Sequence, residues 1–127
     1  MAALLVLAFL SGRATRTLSA AGGTQYLLLL YEGAEYRGDR PTEETVAEYG
    51  RWADSLRSEN RLAGAHKLDD QRVTVLREQP VEVGRTMPSD PTGMFVIRAD
   101  SPDAAAAIAR TSPHLRYGGR IVLWKLL

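Results

Sequence analysis

The sequence predicts an α+β sandwich in which strands alternate with helices, and three observations predict it. Short apolar runs punctuated by glycine recur along the chain: Gln25–Glu32 (QYLLLLYE), Gly93–Ala99 (GMFVIRA) and Arg120–Leu127 (RIVLWKLL). Runs of this length and punctuation read as buried strands. Helix-start signals at Thr42 and Ser101 fall between them. The balance of 45% hydrophobic and 24% charged residues over 127 positions is that of one globular domain. It excludes a disordered chain, a collagen-like chain and a multi-span membrane protein.

Gln25–Glu32 is bounded by Gly22-Gly23 and Gly33 and predicts the first strand. The polar stretch Gly33–Pro41 (GAEYRGDRP) reads as a loop. Thr42 is a good N-cap, and Glu43 and Glu44 place acidic charge in the first helical turn, against the positive end of the helix dipole. Val46, Tyr49, Ala53 and Leu56 recur at spacings of three and four, which predicts one apolar face, widened by Trp52. This helix is expected to end near Asn60. Leu62–Leu68 is a weaker strand signal and Arg72–Leu76 an alternating, β-branched one, with Asp69-Asp70-Gln71 as the turn between them. From Pro80 to Pro91 three prolines and Gly84 predict a loop or an irregular edge. Gly93–Ala99 is the next strand. Ser101 caps a helix with Pro102 at its first position, where a missing N–H costs nothing. The alanine-rich Ala104–Arg110 is strongly helix-forming and lets that helix approach a sheet closely. Ser112-Pro113 ends it, Tyr117-Gly118-Gly119 is a turn, and Arg120–Leu127 is the last strand. The order strand, helix, one or two strands, strand, helix, strand is that of a split β-α-β, or ferredoxin-like, sandwich.

Two helices cover only one face of a four-stranded sheet. The apolar strands Tyr26–Leu30 and Ile121–Leu123 leave the other face uncovered, so a homodimer that packs two sheets together is expected.

Composition removes several chemistries. With no cysteine there is no disulfide framework, no zinc–cysteine site, no iron–sulfur cluster and no thiol nucleophile. Sixteen basic residues balance fifteen acidic ones, and no run of like charge reaches five, so no footprint for nucleic acid is present. Fourteen of the basic residues are arginine, a bias given no functional weight. Ala2–Leu10 (AALLVLAFL) is too short for a membrane-spanning helix, so no stable membrane span is expected. It fits the apolar stretch of a signal peptide cleaved after Ala21, although no Lys or Arg precedes it and Arg13 and Arg16 follow it. The alternative is an added helix or upstream sequence. Residues 1–23 are therefore set apart from a domain over 24–127. Export to the periplasm follows if residues 1–21 are a signal, and a cytoplasmic location if they are not.

The C-terminal stretch resembles a known family. The residues that carry this are Gly93-Met94-Phe95-Val96-Ile97-Arg98-Ala99-Asp100-Ser101, Ala107-Ile108-Ala109-Arg110, Ser112-Pro113-His114-Leu115 and Tyr117-Gly118-Gly119-Arg120-Ile121. Together they resemble the YCII-related, or DGPF-type, domain family. Tyr26–Glu32 is similar to that family's first strand, and Tyr49-Gly50-Arg51-Trp52, Leu56, Leu62 and Leu68 to its first helix and second strand. The resemblance covers residues 25–125 and implies a ferredoxin-like fold and a homodimeric α/β barrel with a cleft. A few relatives process small ring-cleavage products, and others are encoded beside alternative sigma factors. The sequence departs from the family in two ways. The DGPF tetrapeptide is absent, with Val81–Pro91 in its place. Where the better-studied branch carries a helix histidine and an aspartate, Tyr49 and Ser112 stand here, so that acid/base dyad does not carry over.

His114, one of two histidines, is the candidate general acid or base, because imidazole titrates near neutral pH. The structural alternative is a histidine that bonds a backbone carbonyl and shapes the turn. Tyr49 can orient a ligand with its hydroxyl or serve as a core aromatic with a polar tip. Ser112 can line the same cleft, but no base is evident to make it a nucleophile. Arg98 can clamp a carboxylate, or pair with Asp100 on the same strand face. His66 reads as a surface residue, and with Asp69 and Asp70 it falls short of a metal site. Gly118-Gly119 precedes a strand and lacks the residues of a phosphate loop; it reads as a turn needing positive φ. These residues point to a dimeric binder of a small organic acid, or a cofactor-free enzyme that moves protons on one. A non-catalytic regulatory or interaction module is the alternative, favoured by the missing dyad.

Overall fold

The computed structural model describes residues 23–37, 42–78, 82–85, 87 and 89–127. The possible signal segment lies outside them. The alternation of Tyr26, Leu28 and Leu30 on one side of β1 (Thr24–Tyr31) supplies the apolar face on which the rest assembles. α1 (Glu43–Ser58) starts where Thr42 Oγ1 accepts the Thr45 N–H and ends in a turn at Asn60, whose φ of 57° is left-handed. β2 (Leu62–Lys67) follows, then β3 (Gln71–Thr74) and β4 (Glu82–Arg85), then β5 (Pro91–Ala99). α2 (Pro102–Arg110) has the Ser101 cap and the Pro102 start that its sequence dictates. A single helical turn, α3 (Pro113–Arg116), precedes β6 (Arg120–Lys125).

The main sheet has the order β2-β5-β1-β6, with every neighbouring pair antiparallel. β1 and β2 therefore run parallel with β5 between them, and β5 and β6 run parallel with β1 between them. This α+β arrangement is compatible with a small ferredoxin-like fold. The core lies between the sheet and the helices: Leu28 and Ile97 are fully buried, and the Trp52 ring meets Phe95 edge-on at 4.8 Å. Trp52 Nε1 donates to Thr111 Oγ1 at 2.8 Å, so the indole is buried with its one donor satisfied. Ala105 and Ala109 are buried against the sheet, the close approach that small side chains permit.

Four expectations are corrected. Asp69-Asp70 connects β2 and β3 as expected, but Gln71 already opens β3, and the two strands do not pair with each other: β2 pairs with β5, and β3 with β4 in a separate hairpin. The stretch from Pro80 to Pro91 is not only a loop, because it supplies β4 and the first residue of β5. Pro91 is tolerated there as the opening residue of a strand. Ser112-Pro113 ends α2 but also caps and starts α3. Val46 is 62% exposed, whereas Thr45 is buried in its place, so the buried stripe of α1 runs through Thr45, Trp52 and Leu56.

The second face of the sheet carries Leu27, Leu29, Met94, Val96, Val122 and Trp124, none of them fully buried. The β3–β4 hairpin shows Val73 at 56% exposure, with Val75 and Leu76 exposed beyond it.

Candidate functional site

The site is built where α3 passes beneath the end of β1. Ser112 Oγ accepts the His114 N–H at 3.0 Å, which caps α3 and turns the His114 ring inward. His114 is 1% exposed. Its Nε2 donates to the Tyr31 carbonyl at 2.9 Å, and its Nδ1 is hydrogen-bonded to Tyr49 Oη at 3.1 Å. Tyr49 Oη in turn lies 2.9 Å from Tyr36 Oη. The Tyr36 ring also leans on the imidazole, with centroids 5.0 Å apart. A continuous relay thus runs from Tyr36 through Tyr49 to His114 and ends on a main-chain carbonyl.

The glycine pair makes this packing possible. A Cβ on Gly119 would lie 2.3 Å from His114 Nε2, so only glycine leaves room for the ring. Gly118 has φ +90°, and a Cβ there would meet the Glu35 carbonyl oxygen at 2.6 Å. That close approach, with the Arg37 N–H donating to the Tyr117 carbonyl at 2.7 Å, seats the Tyr36 loop against α3.

Burial shifts both titrating groups toward neutrality. It pushes the His114 imidazole below its ordinary value, against the opposing pull of the Tyr31 carbonyl. It pushes the Tyr49 phenol well above the ordinary range, helped by the hydrogen bond to Tyr36. For His114 and Tyr49, then, the neutral form is the favoured one.

The relay forms one wall of a cleft of about 400 Å³ between α1 and the β2–β5–β1 part of the sheet. Leu30, Val46, Ala65 and Phe95 make most of the cleft apolar, and Glu32 and Lys67 bring one charge of each sign. Such a volume with a few convergent polar groups is typical of a small-molecule site. Glycine at position 93, opposite the β2 backbone, keeps the floor low.

Of the residues singled out from the sequence, His114 and Tyr49 come together at this cleft. Ser112 is buried beneath His114 as a helix cap. Arg98 lies at the far end of β5, where Nη1 donates to the carbonyls of Asn60 and Leu62 and ties the α1–β2 connection to the sheet. His66 is exposed at the cleft rim. Sequence reasoning missed Tyr36, the outer member of the relay. Its only signal was an aromatic residue inside an otherwise polar loop.

No protein-family model matches the chain, and no curated protein matches it. Among the described residues no group of three His, Cys, Asp or Glu could hold a metal ion, and no helix is long and apolar enough to cross a membrane.

Proposed function

We propose that the protein binds a small organic molecule in the cleft beside Tyr36, Tyr49 and His114 and moves a proton on it without a cofactor. The observation that carries this reading is the hydrogen-bonded chain from Tyr36 through Tyr49 to the buried His114, on the wall of a mostly apolar cleft. All three side chains line the cleft, so the chain is within reach of a bound molecule. The resemblance to the YCII-related family over residues 25–125 supports the same reading, because it implies a cleft and a few relatives process small ring-cleavage products. The missing histidine–aspartate dyad is no obstacle: Tyr49, at the dyad's helix position, is bonded to a histidine from α3 instead.

The same reading makes the protein a homodimer. Leu27, Leu29, Val96, Val122 and Trp124 form a contiguous apolar face on the side of the sheet away from the helices, the kind of surface that a second sheet covers. Light scattering at micromolar concentration is expected to give twice the monomer mass, reduced to the monomer mass by Trp124→Glu. A wild-type monomer would exclude the sheet-to-sheet dimer.

The ligand reading is tested by thermal shift with a panel of small hydroxy, keto and carboxylic acids and phenols. At least one compound is expected to raise Tm, and Tyr49→Phe is expected to weaken that response about tenfold, the worth of a hydrogen bond to the ligand. A wild-type protein indifferent to the whole panel would count against the cleft as a ligand site.

A further inference from the structure

We infer that the ligand of this cleft is a small zwitterion, with its ammonium held at Glu32, its carboxylate at Lys67 and its apolar body between α1 and the sheet. This rests on the reading of the cleft as a ligand site and adds the class of ligand.

The placement of the two charges follows from strand register. Gly93 pairs with Lys67 on one side and with Leu30 on the other. Directly paired residues of antiparallel strands share a face of the sheet. Leu30 is buried in the core, so Lys67 is on the face that the helices cover. Glu32 follows Leu30 by two residues, just past the end of β1, and lines the same cleft as Lys67. Two strand spacings, about 10 Å, separate the Lys67 and Leu30 backbones. Gly93 puts no side chain between them. An acidic and a basic group therefore stand on opposite sides of a glycine floor.

Among the described residues, neither charge is met by an opposite one: Glu32 and Lys67 form no ion pair with each other or with a third residue. Lys67 Nζ donates to the Thr92 carbonyl at 3.5 Å, which leaves its charge uncompensated and two hydrogens to give. Glu32 is half-buried, where a carboxylate without a cation carries a desolvation cost that an arriving ammonium offsets. Behind burial and the Tyr31 carbonyl, the Glu32 charge is the next influence on the His114 imidazole, ahead of Lys67. Glu32 thus belongs to the end of the cleft walled by Tyr36, Tyr49 and His114, and Lys67 to the β2 edge. The two phenol rings favour an ammonium at the first end, because aromatic faces attract cations. A ligand with one charge alone leaves the other protein charge unmet, whereas a zwitterion meets both. Leu30, Val46 and Phe95 supply the apolar wall, and about 400 Å³ admits a body the size of phenylalanine.

Three probes of matched size separate the parts: L-phenylalanine, phenyllactate, which lacks the ammonium, and phenylethylamine, which lacks the carboxylate. Calorimetric titration of the full-length protein at neutral pH is expected to show phenylalanine binding about tenfold tighter than phenyllactate and a few-fold tighter than phenylethylamine, because a half-buried charge contact is worth more than an exposed one. Glu32→Gln is expected to weaken phenylalanine and phenylethylamine about tenfold and to leave phenyllactate no weaker. Lys67→Met is expected to weaken phenylalanine and phenyllactate a few-fold and to spare phenylethylamine. Neither residue is buried, so both variants are expected to fold, which thermal unfolding checks. Phenyllactate or phenylethylamine binding as tightly as phenylalanine would overturn the zwitterion and leave the cleft a ligand site. So would a loss that falls equally on all three probes in either variant, or a response to the acid and phenol panel without binding of phenylalanine. If the panel and all three probes leave the protein indifferent, the cleft reading itself fails and takes the ligand class with it.

Discussion

Two polar clusters join α1 to α3, and they are neighbours in sequence at both ends. Glu48 and Tyr49 are adjacent on α1; His114, Arg116 and Tyr117 share one turn of chain. Tyr49 faces inward and meets a buried imidazole. Glu48 faces outward, accepts from the Tyr117 hydroxyl and takes the Arg116 guanidinium at 2.9 Å. The Tyr117 hydrogen bond, then that of Arg116, holds the Glu48 carboxyl below its ordinary value. The same carboxylate holds the Tyr117 phenol above its own. The outer cluster is a charged one whose Arg116 side chain is 57% exposed, so its ion pair contributes little to stability. The inner one favours the neutral forms of Tyr49 and His114 and lines the cleft. One residue of helical rotation separates a charged contact, with Arg116 on the outside, from a chain that ends on a fully buried imidazole.

The difference can be broken from the inside first. Gly119→Ala drives a methyl into the His114 ring, and overpacking of this kind costs about 2–3 kcal/mol. Chemical denaturation should show that loss together with displaced His114 ring resonances. An unchanged stability would mean that the ring is not held as described. Tyr49→Phe leaves His114 Nδ1 and the Tyr36 hydroxyl without their partner in a part-buried site, a loss of about 1–2 kcal/mol by the same measurement.

Acidification is the next smaller effect. Burial places the folded pKa of His114 below its ordinary 6.5, so between the two values the unfolded chain binds more protons than the folded one. Stability is then full above about pH 6.5 and falls as pH drops toward the folded value. The groups facing the ring are Tyr36, Tyr49, Glu32 and Lys67, and of the two charged ones Glu32 opposes this shift and Lys67 supports it. An NMR titration of His114 with a midpoint at or above 6.5 would contradict the shift. The smallest effect belongs to the outer cluster: Tyr117→Phe is expected to lower Tm little and to leave the ligand response unchanged, since Glu48 keeps its Arg116 partner and Tyr117 does not line the cleft. A loss as large as that of Tyr49→Phe would erase the contrast between the clusters.

Most of the secondary structure was legible because it rests on local rules. The caps at Thr42 and Ser101 and the proline at position 102 act over three or four residues. The alternation of β1 and β5 is visible in a window of eight or nine. Strand partnership was not legible in the middle of the chain. Arg72–Leu76 has the pattern of a strand, but nothing local tells it to pair with Glu82–Arg85 rather than with the strand before it. The site was half legible. His114 and Tyr49 stand out as rare or well-placed side chains, yet they lie 65 residues apart, and no spacing rule connects them. Tyr36 reaches the relay only because the Gly118 turn accepts the Glu35 carbonyl.

By itself the sequence determined an α+β chain of glycine-bounded strands and capped helices, free of cysteine chemistry, with a short list of polar residues worth watching. Those properties follow from composition and from forces that act within a few residues. Only the tertiary structure decided that Ser112 is a cap, that Arg98 is a strut between α1 and the sheet, and that Tyr36, Tyr49 and His114 form one chain on a cleft wall. The physical reason is that hydrogen-bond direction and burial belong to pairs of groups in space. The same histidine is a surface residue or an enclosed neutral base according to what the distant parts of the chain place around it.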